Sequence, residues 1–280
     1  MASGWRLNLL LLALVLGLAA LVAHRAARDG THPASSTLSA TRPGSVNQVT
    51  LLRPAQPPLE LRRRDGQWWI EAPFRARADE YQVLRLLAVL EARPLAQLPE
   101  GDLQRYGLEP PQAVLDIDGA SFAFGATNPV TREQYLRAGG RTYAIEARHG
   151  AALPAHARIL IRRALLEAHE RPLAVILPQV AVRMVDGRWQ RQPPAADPGG
   201  DDLQIYVDRW RQASAAVTEP HDGRPAIAEI RLILEDGGGV VFGILQRSPQ
   251  LVLWRRDNGL QYTLSEAAGR ALLEVPGEKK

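Results

Sequence analysis

Cysteine is missing from all 280 residues, lysine occurs only as Lys279 and Lys280, and aromatic residues make up 6%. Without cysteine there is no disulfide framework, no thiolate metal site and no cysteine nucleophile, although both redox compartments stay open. Scarce lysine leaves positive charge to arginine, and the formal balance is only +4. A nucleic-acid binder gathers such charge into one patch with aromatic stacking partners. Here Arg62-Arg63-Arg64, Arg162-Arg163 and Arg255-Arg256 are scattered among acidic residues, the pattern of a solvated surface, so nucleic acid is not expected as a partner.

Catalytic signatures are equally scarce. The six histidines show no HExxH or other close metal-ligand spacing, and neither a GxSxG elbow, a GxxxxGK(S/T) phosphate loop nor a GxGxxG turn is present. Gly237-Gly238-Gly239 lies between two strand-like runs, and Asp116-Ile117-Asp118-Gly119 lacks the further ligands of a calcium loop, so both read as turns. The carboxylate pairs Asp79-Glu80 and Asp201-Asp202 stand where helices should begin, and capping explains them. No catalytic, metal-binding or cofactor-binding residue is expected, and the chain is not read as an enzyme.

What the chain has in quantity is apolar residues, 46% of the total, enough for a sizeable core. Residues 7–23 read LNLLLLALVLGLAALVA behind a short tail at 1–6, with Arg6 before and Arg25 and Arg28 after. That length is at the lower limit for a membrane-crossing helix, and snorkelling arginines can extend it. A cleaved signal peptide would need small residues at −3 and −1, and cuts after Ala20, Ala23, Ala26 or Ala27 place Leu18, Leu21, His24 or Arg25 at −3. The expected partner of 7–23 is therefore the lipid bilayer, as a retained anchor. Residues 24–47 have the composition of a linker.

The folded part reads as two copies of one pattern. Asp65-Gly66-Gln67-Trp68 recurs 121 residues on as Asp186-Gly187-Arg188-Trp189, with Pro73 matched to Pro194. Asp-Gly between apolar runs is a strong hairpin signal. The stripe Val83, Leu86, Leu87, Leu90 recurs 120 residues on as Leu203, Tyr206, Val207, Trp210, each a helical face with Asp79 or Asp201 as cap. Phe124-Gly125 recurs at 118 as Phe242-Gly243, and Tyr143 at 119 as Tyr262. The expected fold is α+β: an N-terminal transmembrane helix, then repeat units at 48–154 and 173–276, each a β-hairpin, an amphipathic helix and an antiparallel meander. A helix at 155–172, striped by Ile161, Ala164, Leu165 and Ala168, should join them, Ser265 should open a closing helix, and 277–280 is a tail.

One surface stands out for binding. Trp68 and Trp69 are adjacent on a strand and must face opposite ways, so one of them beside Arg62, Arg63 and Arg64 could meet a glycan or a partner protein.

These landmarks resemble a known family. Asp65-Gly66-Gln67-Trp68 with Pro73, then Tyr106-Gly107-Leu108-Glu109-Pro110-Pro111, Phe124-Gly125-Ala126-Thr127-Asn128-Pro129 and REQYLR at 132–137 are similar to the bacterial proteins carrying domain of unknown function 4340. The second copy departs from it, having no Gly-Leu-x-x-Pro before Ile230. The resemblance implies a single-pass protein of the bacterial cytoplasmic (inner) membrane with its C-terminal body outside the cytoplasm, encoded beside ABC-type permeases and gliding-type auxiliary components, and it supplies no catalytic residues. An accessory or scaffold subunit of an ABC-type transport or cell-envelope complex, partnered by a permease, is the function it implies. A ligand-binding module for an anionic polymer or glycan is the alternative, and a cleft lined by arginine and exposed tryptophan would distinguish it.

Overall fold

The structure is a computed structural model that describes residues 37–194 and 200–277, besides Val15 and Ala20. The expected span at 7–23, apart from those two positions, lies outside the described residues, and so does the linker up to residue 36. No helix among the described residues is long and apolar enough to cross a membrane.

The fold is mixed α+β, with antiparallel sheets and few helices. In chain order the elements are β1 (Gln48–Leu52), β2 (Leu59–Arg64), β3 (Gln67–Ala72), β4 (Ala76–Arg77), helix α1 (Glu80–Leu87), β5 (Ala96–Gln97), β6 (Ala113–Ile117), β7 (Ala120–Thr127), β8 (Gln134–Ala138), β9 (Arg141–Ile145) and the single turn α2 (Arg148–Ala151). There follow β10 (Pro172–Ile176), β11 (Ala181–Val185), β12 (Arg188–Gln192), α3 (Gly200–Gln212), β13 (Val217–Pro220), β14 (Ala228–Leu234), β15 (Gly239–Gln246), β16 (Val252–Arg255), β17 (Leu260–Thr263) and α4 (Glu266–Leu273). Contacts divide the chain into two compact units. One holds Leu87–Leu153 with the described residues up to Val46, and the other holds Asn47–Leu86 with the described residues from Pro154 on.

In the first unit the strands run β6-β7-β8-β9-β5. In the second, β14-β15-β16-β17-β13 repeats that order, and the hairpin strands β3-β2-β1 are matched by β12-β11-β10. The two meanders thus share one strand order, and so do the two hairpins. The drifting spacing between the copies has a cause in the first hairpin. Leu61 faces Ile70 but Glu60 faces Ala72, so Glu71 is an extra, bulged residue, whereas Val182 faces Arg191 and Ala181 faces Gln192 without a slip. One inserted residue reduces the displacement from 121 to 120, and the counterpart of Pro73 becomes Pro193 rather than the expected Pro194.

Each hairpin turns on Asp-Gly with left-handed backbone at both residues, φ 50° and 76° at Asp65-Gly66 and 49° and 76° at Asp186-Gly187. The expected apolar stripes face the core: Val83, Leu86, Leu87 and Leu90 are at most 2% exposed, as are Tyr206, Val207 and Trp210, with Leu203 at 3%. Asp79 Oδ1 accepts from the Gln82 N–H at 3.1 Å, a true N-cap, and Ser265 caps α4 by accepting from Ala268 at 3.3 Å. Asp201 does not cap α3; it sits inside the first turn, where its charge still complements the helix dipole. Trp210, Phe242 and Tyr262 form an aromatic chain under α3, with centroids 6.0 and 6.5 Å apart.

The helix expected across 155–172 is not formed. A 3-10 turn at Ala157–Leu160 leads into an extended strap. Its backbone is claimed from both sides: Asp79 N–H donates to Leu160 O at 2.7 Å and Arg162 N–H to Arg77 O at 2.9 Å, while Leu165 N–H donates to Ala213 O at 3.0 Å and Ala215 N–H to Arg163 O at 2.8 Å. These bonds between segments replace the i→i−4 bonds a helix would use. Ile161 and Leu165 are buried as a helical stripe would bury them, but Ala168 is exposed.

Within the first unit the tightest point is Gly125. A Cβ there would lie 2.9 Å from Leu108 Cγ and closer still to the Tyr106 carbonyl oxygen. Gly125→Ala should therefore cost about 1–3 kcal/mol in urea unfolding, as overpacked sites do. Gly44→Ala, with nothing within 4 Å of its Cβ, should change stability by less than about 0.5 kcal/mol.

Candidate functional site

The register of β2 against β3 separates the residues singled out above. Arg62 faces Trp69 and Arg63 faces Trp68. Directly opposed residues share a sheet face, so Trp68 and Arg63 lie on one side and Arg62, Arg64 and Trp69 on the other. Trp68, 2% exposed, joins Leu61 and Ile70 in the core and offers no binding surface. Arg63 folds back to donate to Gly66 O at 3.3 Å, and Arg62 reaches Gln48 Oε1 at 3.5 Å. Trp69 is half-buried with the Arg77 guanidinium 5.6 Å from its ring centroid.

Around Trp69 opens a cleft of about 520 Å³ lined by Arg64, Arg75, Arg77 and Arg255, with Asp65, Glu167 and Asp257. It has the expected arginines and tryptophan, but the arginines are already paired. Glu71 takes Arg64 at 2.8 Å and Arg75 at 3.4 Å, while Glu167 stands 4.0 Å from Arg77 and 3.6 Å from Arg162. Arg255, 5% exposed, donates to Leu165 O at 2.8 Å, to Asp257 Oδ1 at 2.8 Å and to both oxygens of Glu170. Burial disfavours its charge, yet the hydrogen bonds it donates to Asp257 and Glu170 hold the guanidinium above its ordinary pKa. The Asp257 carboxyl is likewise disfavoured by burial, and bonding to Arg255 holds it below the usual carboxylate range. Carboxylates thus neutralise the arginines of this cleft, although the buried Nε atoms of Arg77 and Arg162 have no hydrogen-bond partner.

A larger cleft, about 730 Å³, lies elsewhere in the same unit. Leu51, Leu59, Pro57, Pro73 and Phe74 give it an apolar wall, and Arg53, Arg158, Glu219, Asp222 and Gln261 supply polar groups. Arg158 pairs with Glu219 at 2.9 Å, Gln261 Nε2 donates to the other Glu219 oxygen at 2.9 Å, and Arg224 pairs with Asp222 at 2.8 Å. Next to it His221 stacks on Trp254, with centroids 4.1 Å apart. No sequence motif points to this cleft. Its one local signal is the proline-rich turn Arg53-Pro54-Ala55-Gln56-Pro57-Pro58 between β1 and β2. Among the described residues no three or more His, Asp or Glu come together as a metal site.

The residues that carry the family resemblance are used in building. Tyr106 O accepts from Ala126 N–H at 2.7 Å, Gly107 takes φ 63°, and the Tyr106 and Tyr135 rings meet at 4.9 Å. Asn128 Oδ1 accepts from Val130 and Thr131, its Nδ2 donates to Tyr135 Oη at 3.0 Å, and buried Gln134 donates to Gly125 O at 2.6 Å. In the second copy Gly243 is again crowded, its Cβ position 2.8 Å from Ala226 Cβ, with a different partner in place of the missing Gly-Leu-x-x-Pro. The turn readings also hold: Asp116 Oδ1 accepts from Gly119 N–H at 2.9 Å, and Asp236 Oδ1 from Gly238 N–H at 2.8 Å.

The geometry defines a mixed α+β scaffold of two antiparallel sheets, in which the residues that carry the resemblance serve as packing and turn elements. Residues 68–192 match the family model described as domain of unknown function (DUF4340), so the resemblance is borne out over that stretch. No curated protein and no solved structure matches the chain.

Removing Glu170 would leave Arg255 buried with a single, half-exposed carboxylate. Glu170→Gln should lower stability by about 3 kcal/mol in urea unfolding. Because the folded pKa of Asp257 is depressed, its contribution is present above its unfolded value near pH 4 and is lost as pH falls through the folded value. Asp257→Asn should therefore flatten the fall in stability between about pH 5 and pH 3 relative to the wild type.

Proposed function

We propose that the chain acts by binding rather than catalysis. It is a single-pass protein of the bacterial cytoplasmic membrane, anchored by residues 7–23, whose body outside the cytoplasm is an accessory or scaffold subunit of an ABC-type transport or cell-envelope complex. The observation that supports this reading is a difference between the two hairpins. In the first, β4 adds a further strand beyond β3, with Trp69 facing Arg77 and Ile70 facing Ala76. In the second, β12 is the last strand of its sheet, and among the described residues none pairs beyond it. An uncovered edge presents unpaired N–H and C=O groups that a partner's strand can take up.

The alternative, binding of an anionic polymer or glycan at Arg62, Arg64 and Trp69, has less support, because carboxylates already neutralise the arginines of the adjoining cleft. Purification of the tagged full chain from its native membrane in mild detergent should recover a multi-span permease and its ATPase. By the alternation of an antiparallel pair closed by a two-residue turn, the Arg191 N–H points away from β11. Arg191→Pro should abolish that recovery while leaving the circular dichroism spectrum unchanged. A wild-type chain isolated alone would overturn the reading.

A further inference from the structure

We infer that the larger cleft is a binding site for a small monoanion with an apolar body, an aliphatic carboxylate, and that Arg53 receives the carboxylate. This is independent of the edge-strand reading, since it concerns other residues and another kind of partner.

Charge balance sets Arg53 apart on this wall. Every other arginine and carboxylate on the wall has a partner: Arg158 and Gln261 hold Glu219, and Arg224 holds Asp222. Arg53 has no carboxylate within salt-bridge distance among the described residues, and its buried Nε has no hydrogen-bond partner. Burial alone acts on it, pulling its pKa below the ordinary value. A half-buried guanidinium with an unpaired N–H is costly unless something supplies acceptors, and a carboxylate matches its fork. The compensated cluster around Arg255 shows the contrast, for there the protein itself provides the carboxylates.

The body of the ligand follows from the rest of the wall. Leu51, Leu59, Pro57, Pro73 and Phe74 offer no donors from their side chains, so they select hydrocarbon over sugar or phosphate. A volume of about 730 Å³ suits a small molecule. Arg53 is also preorganised. It begins a turn in which Gln56 N–H donates to Arg53 O at 3.3 Å, and Pro54, Pro57 and Pro58 restrict the backbone around it.

The test uses the full chain in nanodiscs of neutral lipid, with octanoate as probe and empty nanodiscs to subtract partitioning, read by saturation-transfer NMR titration. Octanoate should bind saturably to the wild type and about tenfold more weakly to Arg53→Gln, consistent with loss of a charge-assisted contact. Octanol should bind weakly to both and acetate to neither. Because the unpaired Arg53 is itself costly, the variant should melt no lower than the wild type without ligand, and Phe74→Ala, which shortens the wall without touching the charge, should weaken octanoate as well. Equal octanoate affinity in wild type and Arg53→Gln, absence of saturable binding, or acetate binding as tight as octanoate would each overturn the inference.

Discussion

The backbone turn at Asp65-Gly66 decides what the adjacent surface can do. With both residues in the left-handed region, β2 and β3 are joined by the tightest hairpin and Arg64 must face Gln67. Side chains alternate with a period of two, so this one register sends Trp68 inward and Trp69 outward. A slip of one residue would expose Trp68, bury Arg62 and Arg64, and dismantle the salt bridges with Glu71. Asp186-Gly187 imposes the same rule on the second hairpin, but there the counterpart Trp189 remains half-buried and the strand stays at the sheet's edge.

The local elements were legible in the sequence because short-range chemistry dictates them. Asp-Gly specifies a primed turn, four apolar residues at helical spacing specify a buried face, and Ser265 or Asp79 specifies a helix start. The strap at 157–166 was not legible for the converse reason. Its apolar spacing suits a helix, and what overrides it is pairing with Arg77 and Asp79 on one side and Ala213 and Ala215 on the other, partners distant in sequence. The candidate site divides in the same way. Alternation shows that Trp68 and Trp69 part company, but not which one is buried, and nothing in the run of arginines shows that Glu71 and Glu167 will neutralise them. Arg53 was missed because its distinguishing property is the lack of a partner, which exists only once the chain has folded.

An arginine-rich, lysine-poor chain suggests an anion-binding surface, and the structure shows why composition misleads here. Arg255 uses the planar fork of its guanidinium to bridge Glu170, Asp257 and a backbone carbonyl at once, which an ammonium could not do with the same geometry. Such arginines act as internal struts that tie the 162–170 segment to β16. A strut keeps its place only while its carboxylates remain ionised, so the same groups that look suited to recognition are committed to holding the unit together. Charge available for binding has to be sought where that compensation fails.

The likeness of the two hairpins and of the two meanders gives this distinction a structural basis. Both copies keep what each hairpin and meander needs to form: the Asp-Gly turn, the buried helical stripe, and the crowded glycines Gly125 and Gly243. They diverge where formation makes no demand. The first hairpin acquires a bulge at Glu71 and a covering strand, β4, whereas the second retains an open edge. The β1–β2 connection carries Arg53 among three prolines, and the corresponding β10–β11 connection, 177–180, is a tight turn in which Leu177 N–H donates to Val180 O at 2.8 Å. The open edge and the unpaired arginine are both departures from that likeness; β12 lies within the stretch that matches the family model, whereas Arg53 lies outside it.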